Sequence, residues 1–489
     1  MSLPTTVRPV TGIAAVVGFL AAVEFASGIL QGYYTPIFTD IARHLSIADA
    51  DVNWFEAAQL VVSALCVPLL ARLADLLGHR NVLLISTAVT ALGSWVVAFA
   101  PNFTTFLIGW AVQGAYVIWL PIEVALIYRR TAGTGQQGRL TRRAAGILVG
   151  VLELSVIVGA LTSGALVEAT SMTVLLALPA VVVTLCFFVI WFGIRDTPAE
   201  ATGGIDWLGL LLVTGAIGLV MGGLIAVRLR GVDSLLAWSL VLAGAAVFAL
   251  FWRVESRHPD PLVDVNLFAT PAQWPVQATA FFFGMSVLGA QIPLSTFART
   301  DPDVVGYGLG ADAGFVSTLI GVYVVSMAIG AFTLPLTSRL LGMRWALTAS
   351  LVLVAIGYAL WLPLHGSTGQ AIVNMLVVGV GSGALVAALP AAAAAAAPPE
   401  RTGIATGMTN GIKTIGGAIA SAVFAIALAS TGSLGDPTEG HAPLSGYLTV
   451  WAICSVSALV AAALMLFTPR QAFADPDPDG ADPVAVPTV

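Results

Sequence analysis

Ionisable side chains inside strongly apolar stretches are the residues of this sequence that could do chemistry. Glu24, Glu123, Glu153 and Lys413 each lie within a run of apolar residues long enough to cross a bilayer. A charge at the centre of a membrane-spanning helix costs roughly 3 kcal/mol on insertion scales, so such residues are expected to have a function. A carboxyl group that is dry in one conformation and wet in another takes up and releases a proton. We therefore expect Glu24, Glu153 and Glu123 to couple the protein to protons.

Lys413, the only lysine of the chain, allows a second interpretation of these charges. It could neutralise Glu153 or Glu123 in a static pair that holds two parts of the molecule together. A mobile pair could also serve as a gate that closes when the pair forms and opens when Glu153 is protonated. Glu153 shares a helical face with Gly146 and Gly150, and small residues on one face predict close approach of a neighbouring helix.

Polar residues recur at helical spacing on three of the apolar runs, and each recurrence predicts a polar stripe facing a cavity. The first run carries Glu24, Ser27, Gln31 and Thr35. A second run aligns Glu123 with Gln113 and Tyr116. A third run carries Thr406, Asn410, Lys413 and Gly417.

Aromatic and amide side chains near these stripes could form a pocket for an amphipathic small molecule. Such pockets are mostly apolar, with a few polar groups that orient the ligand. An aromatic residue in a membrane span can equally serve as packing or as an interface anchor. The predicted substrate cavity comprises Gln31, Tyr34, Trp110, Gln113, Tyr116, Phe282, Gln291 and Asn410.

The composition places these residues in a membrane. Of 489 residues, 58% are hydrophobic and 9% are charged, and the mean hydropathy is +0.94. A span needs about 20 apolar residues, and on that basis the chain divides into fourteen predicted spans. No run alternates with the period of a barrel strand, which leaves helices as the spanning elements. The sequence thus predicts an all-α membrane protein.

Basic residues indicate how the spans are oriented. With the N-terminus inside, most arginines fall on inner loops, and the outer ones are Arg43, Arg228, Arg230 and Arg299. This distribution follows the positive-inside rule and predicts a cell membrane protein, in a bacterium the cell inner membrane, whose N- and C-termini are cytoplasmic. Residues 471–489 are rich in Pro, Asp and Ala and are predicted to form a disordered cytoplasmic tail.

A weak internal sequence repeat divides the chain into two related parts. The segment 68–80, PLLARLADLLGHR, returns as PLTSRLLGMR at 335–344, and internal repeats of this kind are typical of secondary transporters. Two predicted helices, 206–227 and 235–253, lie between the parts, and removing them leaves six plus six. The predicted organisation is a six-helix bundle over 1–194, a linker with two additional helices over 195–265, and a second six-helix bundle over 266–470.

Several local phrases, in this order and spacing, resemble the major facilitator superfamily, and specifically its fourteen-helix drug:proton antiporter branch. They are Trp54, the loop from Arg72 to Arg80, Gly109 with Gln113 and Gly114, the glycines Gly150, Gly159 and Gly164, the IDWLGLLL phrase at 205–212 and the ESRHPDPLVDVNLF phrase at 255–268. The resemblance covers nearly the whole chain. It implies two bundles that rock about a central cavity and export a hydrophobic or amphipathic small molecule in exchange for protons.

The same resemblance implies that the loop residues Asp75 and Arg80 act as a gate. In the superfamily, the acid at the position of Asp75 meets the start of the eleventh core-type helix in one conformation, using the positive end of that helix dipole. The chain also departs from the branch pattern. Trp110 stands where the branch usually has an arginine of the proton relay, and Ala160 replaces a proline. In the first span the acid of the branch would fall at the position of Ser27, whereas the acid of this chain is Glu24, one helical turn earlier.

Other chemistries find little support in the sequence. No nucleotide-binding loop, metalloprotease motif or nucleophile elbow occurs, so neither enzymatic activity nor a cofactor or metal is expected. Nucleic acid is not an expected partner; the expected partners are a small amphipathic substrate, protons and membrane lipids, and the expected state is a monomer. Two alternatives stay open: a lipid or glycolipid exporter of the same fold, and a membrane sensor or accessory subunit that transports nothing.

Overall fold

The computed structural model describes residues 13–131, 137–195, 204–259, 261–397, 402–429 and 441–469. Within them the chain forms helices and no β-strand. The first half contains α1 (Ile13–Gly32), α2 (Phe38–Leu45), α3 (Asn53–Leu77), α4 (His79–Ala98), α5 (Phe103–Gln113), α6 (Trp119–Arg130), α7 (Gln137–Leu166) and α8 (Met172–Gly193). The central pair is α9 (Trp207–Arg230) and α10 (Leu235–Glu255). The second half contains α11 (Val265–Phe268), α12 (Trp274–Val287), α13 (Gln291–Arg299), α14 (Pro302–Val305), α15 (Ala313–Leu341), α16 (Met343–Leu360), α17 (Thr368–Ala395), α18 (Thr402–Leu428) and α19 (Leu444–Met465). The predicted tail at 471–489 lies outside the described residues.

Thirteen helical stretches of the described residues are long and apolar enough to cross a membrane. Two of them are interrupted by one tight turn of 3₁₀ helix, so that α5 and α6 form one span, as do α12 and α13. The first predicted span, α1, is 20 residues long and is not among the thirteen, because the side chains of its first residues are not described. The all-α membrane fold predicted from the sequence is confirmed.

The internal sequence repeat corresponds to an equivalent turn in each half. Gly78 links α3 to α4 with φ 88° and ψ 144°, and Gly342 links α15 to α16 with φ 80° and ψ 149°. A positive φ is readily adopted only by glycine, so each helix pair can reverse direction over a single residue. The matching angles show that the two sequence phrases form the same local structure.

Basic residues gather on one side of the helices, which we call the basic face. Arg72, Arg80, Arg129 and Arg195 lie there, near the ends of α3, α6 and α8 and the start of α4. Helix direction alternates along the chain, so α1, α7, α9, α12 and α18 begin at the basic face. The other side, where α1 ends and α3 begins, is called the opposite face.

Two large buried clusters of apolar side chains lie on either side of a seam. One is formed almost entirely by residues of α1 to α8, and the other almost entirely by residues of α12 to α19. Across the seam, α3 packs along α18 and α7 packs along α15. These four helices therefore form the largest part of the contact between the halves.

The pair α9 and α10 is attached to the outside of this seam. The two helices pack tightly, since a Cβ at Gly223 or Gly244 would lie 2.9 Å from a backbone oxygen of the other helix. At the opposite face, Arg228 of α9 forms an ion pair of 3.4 Å with the buried Asp51. At the basic face, Asp206 accepts a hydrogen bond of 2.8 Å from Gly209 N–H at the start of α9, and the side chain of Glu255 contacts Asp206. The IDWLGLLL and ESRHPDPLVDVNLF phrases thus meet in one buried acidic contact.

Candidate functional site

Two carboxyl groups face each other inside the first half. Glu24 of α1 and Glu123 of α6 are both 0% exposed, and their carboxyl groups lie close enough to interact electrostatically with each other. None of their four carboxyl oxygens has a hydrogen-bond donor among the described residues. The sequence singled out both glutamates but did not indicate that they form a pair.

This arrangement restricts the charge that the pair can carry. At about 4 Å and an effective dielectric constant of 20, two like charges repel by about 4 kcal/mol, and no donor in the described part of the chain compensates for it. A hydrogen bond between two carboxyl groups requires that at least one of them holds a proton. Burial and like-charge repulsion therefore disfavour a pair in which both carboxyl groups are ionised.

Apolar packing keeps this carboxyl pair dry. The fully buried Trp119, one turn before Glu123, is fixed by a hydrogen bond of 3.1 Å from its Nε1 to Ser86 Oγ of α4. The thiol of Cys186 on α8 lies close enough to interact electrostatically with both glutamates. Helices α1, α4, α6 and α8 thus surround the pair, which makes water access dependent on movement of these helices.

Tyr116 connects the pair to a third acid. This tyrosine is half-buried and interacts electrostatically with both Glu24 and Glu56. Glu56 lies in the first turn of α3, near the opposite face, and is also half-buried. Glu56, Tyr116, Glu24 and Glu123 therefore form a succession of polar side chains that runs from near the opposite face toward the basic face.

The remaining intramembrane charges meet across the seam. Glu153 of α7 and Lys413 of α18 interact electrostatically and both retain partial exposure. They do not form a direct ion pair of the kind that joins Arg228 to Asp51. Of the two partners that the sequence allowed for Lys413, Glu153 is the one whose charge interacts with it in this structure.

The close helix approach expected at Gly146 and Gly150 is wrong for this structure. A Cβ added at either glycine meets no atom within 4 Å. The close contact lies instead between α1 and α7, where a Cβ at Gly28 or Gly32 would collide with the backbone of α7 near Val156. On α7 itself the glycine that approaches α1 is Gly159, where an added Cβ would lie 3.2 Å from the Tyr33 backbone nitrogen.

The predicted cavity residues fall into three groups. Gln31 and Gln291 are exposed, while Tyr116 and Asn410 are half-buried. Three others are buried within the first half: the Gln113 amide donates to Tyr34 Oη at 3.2 Å, and the Tyr34 ring lies 4.5 Å from that of Trp110. Phe282 lies on the wall of a different cavity, beside α9 and α10. Their assignment to substrate binding stays a prediction.

The predicted gate residues of the first loop make contacts within their own half. Asp75 forms an ion pair of 3.5 Å with Arg129. Arg80 donates to the backbone oxygens of Ile194 at 2.6 Å and Trp191 at 2.9 Å, and its guanidinium lies 5.8 Å from the Trp191 ring centroid. In this conformation both side chains hold the basic-face ends of α3, α4, α6 and α8 together, and a gating role stays a prediction.

Polar contacts between the halves concentrate at the opposite face, and sequence reasoning did not identify them. Arg299 at the end of α13 donates to Asp40 of α2 at 2.9 Å, and both side chains are largely buried. The Ser295 hydroxyl donates to the Thr35 backbone oxygen at 2.5 Å. The sequence feature that could have indicated this ion pair is that Arg299 is one of only four arginines on the outer side of the predicted topology.

A histidine adds a titratable contact at the same face. His441 Nδ1 lies 3.7 Å from Asp49 Oδ2 at the start of the α3 span. The contact with Asp49 raises the pKa of His441 above its ordinary value of 6.5. Burial opposes this shift, the negative charges of Asp49 and Asp301 add to it, and the positive charge of Arg43 reduces it. The contact joins the two halves most strongly when the imidazole is protonated.

Comparison with known proteins identifies the family. A profile described as the Major Facilitator Superfamily matches residues 20–301 and 276–488, so the chain belongs to the major facilitator superfamily. It is a transporter of that superfamily and not an enzyme. It is 24% identical to the uridine/deoxyuridine transporter of Lactococcus lactis subsp. cremoris over 88% of this chain and 90% of that protein. It is also 24% identical to the multidrug resistance protein Stp of Mycobacterium tuberculosis, over 80% of this chain and 71% of that one.

A solved structure supports the fold. The crystal structure of an auto inhibited POT family peptide transporter superposes with a TM-score of 0.67, over 92% of this chain and 96% of that chain, at 14% identity. At that identity the likeness bears on the arrangement of the helices alone.

Proposed function

We propose that this protein exports a hydrophobic or amphipathic small molecule from the cell in exchange for protons, as a member of the fourteen-helix drug:proton antiporter branch. The buried Glu24–Glu123 pair is the observation that carries the proposal, because two facing carboxyl groups without a donor are unfavourable when both are ionised. A site that must hold a proton when dry, and can release it when wet, supplies the coupling step of an antiporter.

The route of the proton follows the polar succession. A proton entering from the opposite face passes Glu56 and Tyr116 and reaches Glu24 and Glu123. With the basic face in the cytoplasm, as the arginine distribution predicts, this direction is the inward direction of the proton gradient. One charge moving through 100 mV releases about 2.3 kcal/mol, which is sufficient to sustain a useful substrate gradient.

The seam charges give the conformational cycle its direction. Hydrogen bonds and ion pairs join the halves at the opposite face, and Glu153 and Lys413 face each other without a direct ion pair. We propose that tilting of the halves brings Glu153 and Lys413 into contact as the opposite face opens. Substrate would then be released on that side while the basic side is closed.

Transport into proteoliposomes with an imposed pH gradient tests the proposal. Glu24→Gln and Glu123→Gln are expected to abolish substrate-driven proton flux, and Glu168→Gln, which alters an exposed loop acid, serves as the matched control. Wild-type proton flux in both pair variants would refute the assignment. The substrate panel contains lipophilic cations, antibiotics and lipids.

A nucleoside is the second candidate substrate. The similarity to a uridine/deoxyuridine transporter extends over 88% of the chain, and three amide side chains that could hydrogen-bond a base, Gln31, Gln291 and Asn410, retain exposure. Radiolabelled uridine therefore belongs in the same assay. Saturable uridine movement with no movement of the lipophilic compounds would replace the first candidate by the second.

A further inference from the structure

A large apolar cavity lies between the added pair of helices and the seam. Its volume is about 620 Å³, and its walls come from α3 on one side of the seam, α12 and α18 on the other, and α9, α10 and the short α11. It is therefore a place where the central pair and both halves of the transporter face a common space.

Apolar packing bounds this space at both ends. Toward the opposite face, Met221 and Leu224 of α9 pack against a small cluster formed by α3 and α18, comprising Trp54, Ala57, Ala422 and Ala425. Toward the basic face, Phe251, Val263 and Phe268 form a buried cluster with Val213 of α9. The added helices thus touch the transporter at both ends and stand away from it in between.

The walls exclude a polar occupant. Among the described lining residues, Gln277 is the only one with a polar side chain other than the indoles. Its amide nitrogen is already engaged, donating to Gln273 and Thr409, each at 3.1 Å. A cavity lined by apolar side chains does not hold water, so at membrane depth the available filling material is hydrocarbon.

The size and position of the space select the occupant. At about 30 Å³ for each water-sized unit, the volume corresponds to on the order of 20 methylene groups, which is one long acyl chain. Trp252 and Trp274 line the cavity toward the basic face and are partly exposed, as tryptophans at a membrane interface are. The exposed Arg253 follows Trp252 at that level and can bind a phosphate group.

We propose that this cavity is the binding site for one acyl chain of a membrane phospholipid, whose headgroup lies at the basic face beside Arg253. The lipid fills the gap between the central helix pair and the seam. Because its walls belong to both halves, the bound chain must rearrange or leave when the halves move. The proposal does not depend on proton coupling or on the identity of the exported substrate.

Phospholipid retained by the full-length protein, purified from membranes in mild detergent and weighed by native mass spectrometry, tests the site. Ala245→Trp fills the cavity from α10, and Ala278→Phe fills it independently from α12. Ala243→Trp is the matched control, since Ala243 is an exposed residue of α10 outside the cavity lining. Elution volume and thermal unfolding check that every variant is assembled.

The expected result is about one phospholipid for each wild-type or Ala243→Trp molecule and at least a tenfold lower occupancy in both filling variants. Arg253→Gln is expected to reduce retention of anionic phospholipid more than that of phosphatidylcholine. Equal retention in wild type and both filling variants, or a wild type that retains no phospholipid, would overturn the proposal. An adduct with the mass of an exported compound in place of a lipid would overturn it as well.

Discussion

Replacing Glu123 by glutamine is expected to separate the proposed proton coupling from substrate movement. The amide has the shape of the protonated carboxyl group and can donate a hydrogen bond to Glu24, so folding is expected to change by no more than about 1 kcal/mol. It cannot release a proton, however. The Glu24–Glu123 pair then loses one of its two titrating groups while the surrounding packing stays the same.

The magnitude follows from the charge that crosses the membrane. One proton exchanged for one neutral substrate at 100 mV supplies about 2.3 kcal/mol, and 1.36 kcal/mol corresponds to a tenfold ratio. A protein that exchanges one proton for one substrate can thus sustain a concentration ratio of about 50, which is the ratio expected for wild type. For Glu123→Gln the ratio is expected to fall to about 1, because nothing couples substrate movement to the gradient.

Two measurements on the same proteoliposomes check this reasoning. Gradient-driven accumulation should be lost in Glu123→Gln, while exchange of labelled for unlabelled substrate without a gradient should continue. Continued exchange shows that the variant is folded and binds substrate. Accumulation to the wild-type ratio in both Glu123→Gln and Glu24→Gln would refute a coupling role for the pair.

Contacts at the opposite face and between α1 and α7 carry three more predictions. Arg299→Ala removes the 2.9 Å partner of the Asp40 carboxylate, and the loss of about 1–3 kcal/mol should shift the halves toward opening at that face. Distances between spin labels on the two halves measure this opening. Unchanged distances would contradict the prediction. The raised pKa of His441 means that its contact is complete below about pH 6.5 and weakens as pH rises through the raised value. Those label distances should therefore lengthen at alkaline pH in wild type and stay constant in His441→Gln. Gly32→Leu inserts a side chain into the backbone of α7, and its thermal unfolding should show a loss of about 3 kcal/mol or more; a wild-type melting curve would contradict the packing.

The fold could be predicted from the sequence because the bilayer leaves few choices. The lengths of the apolar runs indicate the spans, and the positions of the arginines indicate the expected orientation. The repeated segments around Gly78 and Gly342 indicate equivalent turns in the two halves. The individual intramembrane charges were visible for the same reason, since each one stands out against an apolar background.

The pairing of these charges could not be predicted. Glu24 and Glu123 are about a hundred residues apart, and which faces of α1 and α6 meet depends on packing that no local pattern records. Gly28 and Gly32 allow α1 to pack closely against α7, and this contact helps to set the orientation of α1. Helical spacing alone does not show which helix the two glycines face. The ion pair of Asp40 with Arg299 likewise joins segments from different halves.

The central pair of helices has a defined place in this arrangement. Arg228 and Asp51 attach it at the opposite face, and the contact between Asp206 and Glu255 organises it at the basic face. Between these attachments the structure leaves the apolar cavity. The central pair of helices therefore forms one wall of a cavity beside the seam, in addition to linking the two halves of the chain.

The proton on the carboxyl pair is the central claim, and infrared difference spectroscopy of the purified protein tests it most directly. The account predicts a protonated carboxyl band at neutral pH that disappears in both Glu24→Gln and Glu123→Gln and persists in Glu168→Gln. Substrate binding should alter this band in wild type. A wild-type spectrum with no protonated carboxyl group, or a band that survives in both pair variants, would contradict the account.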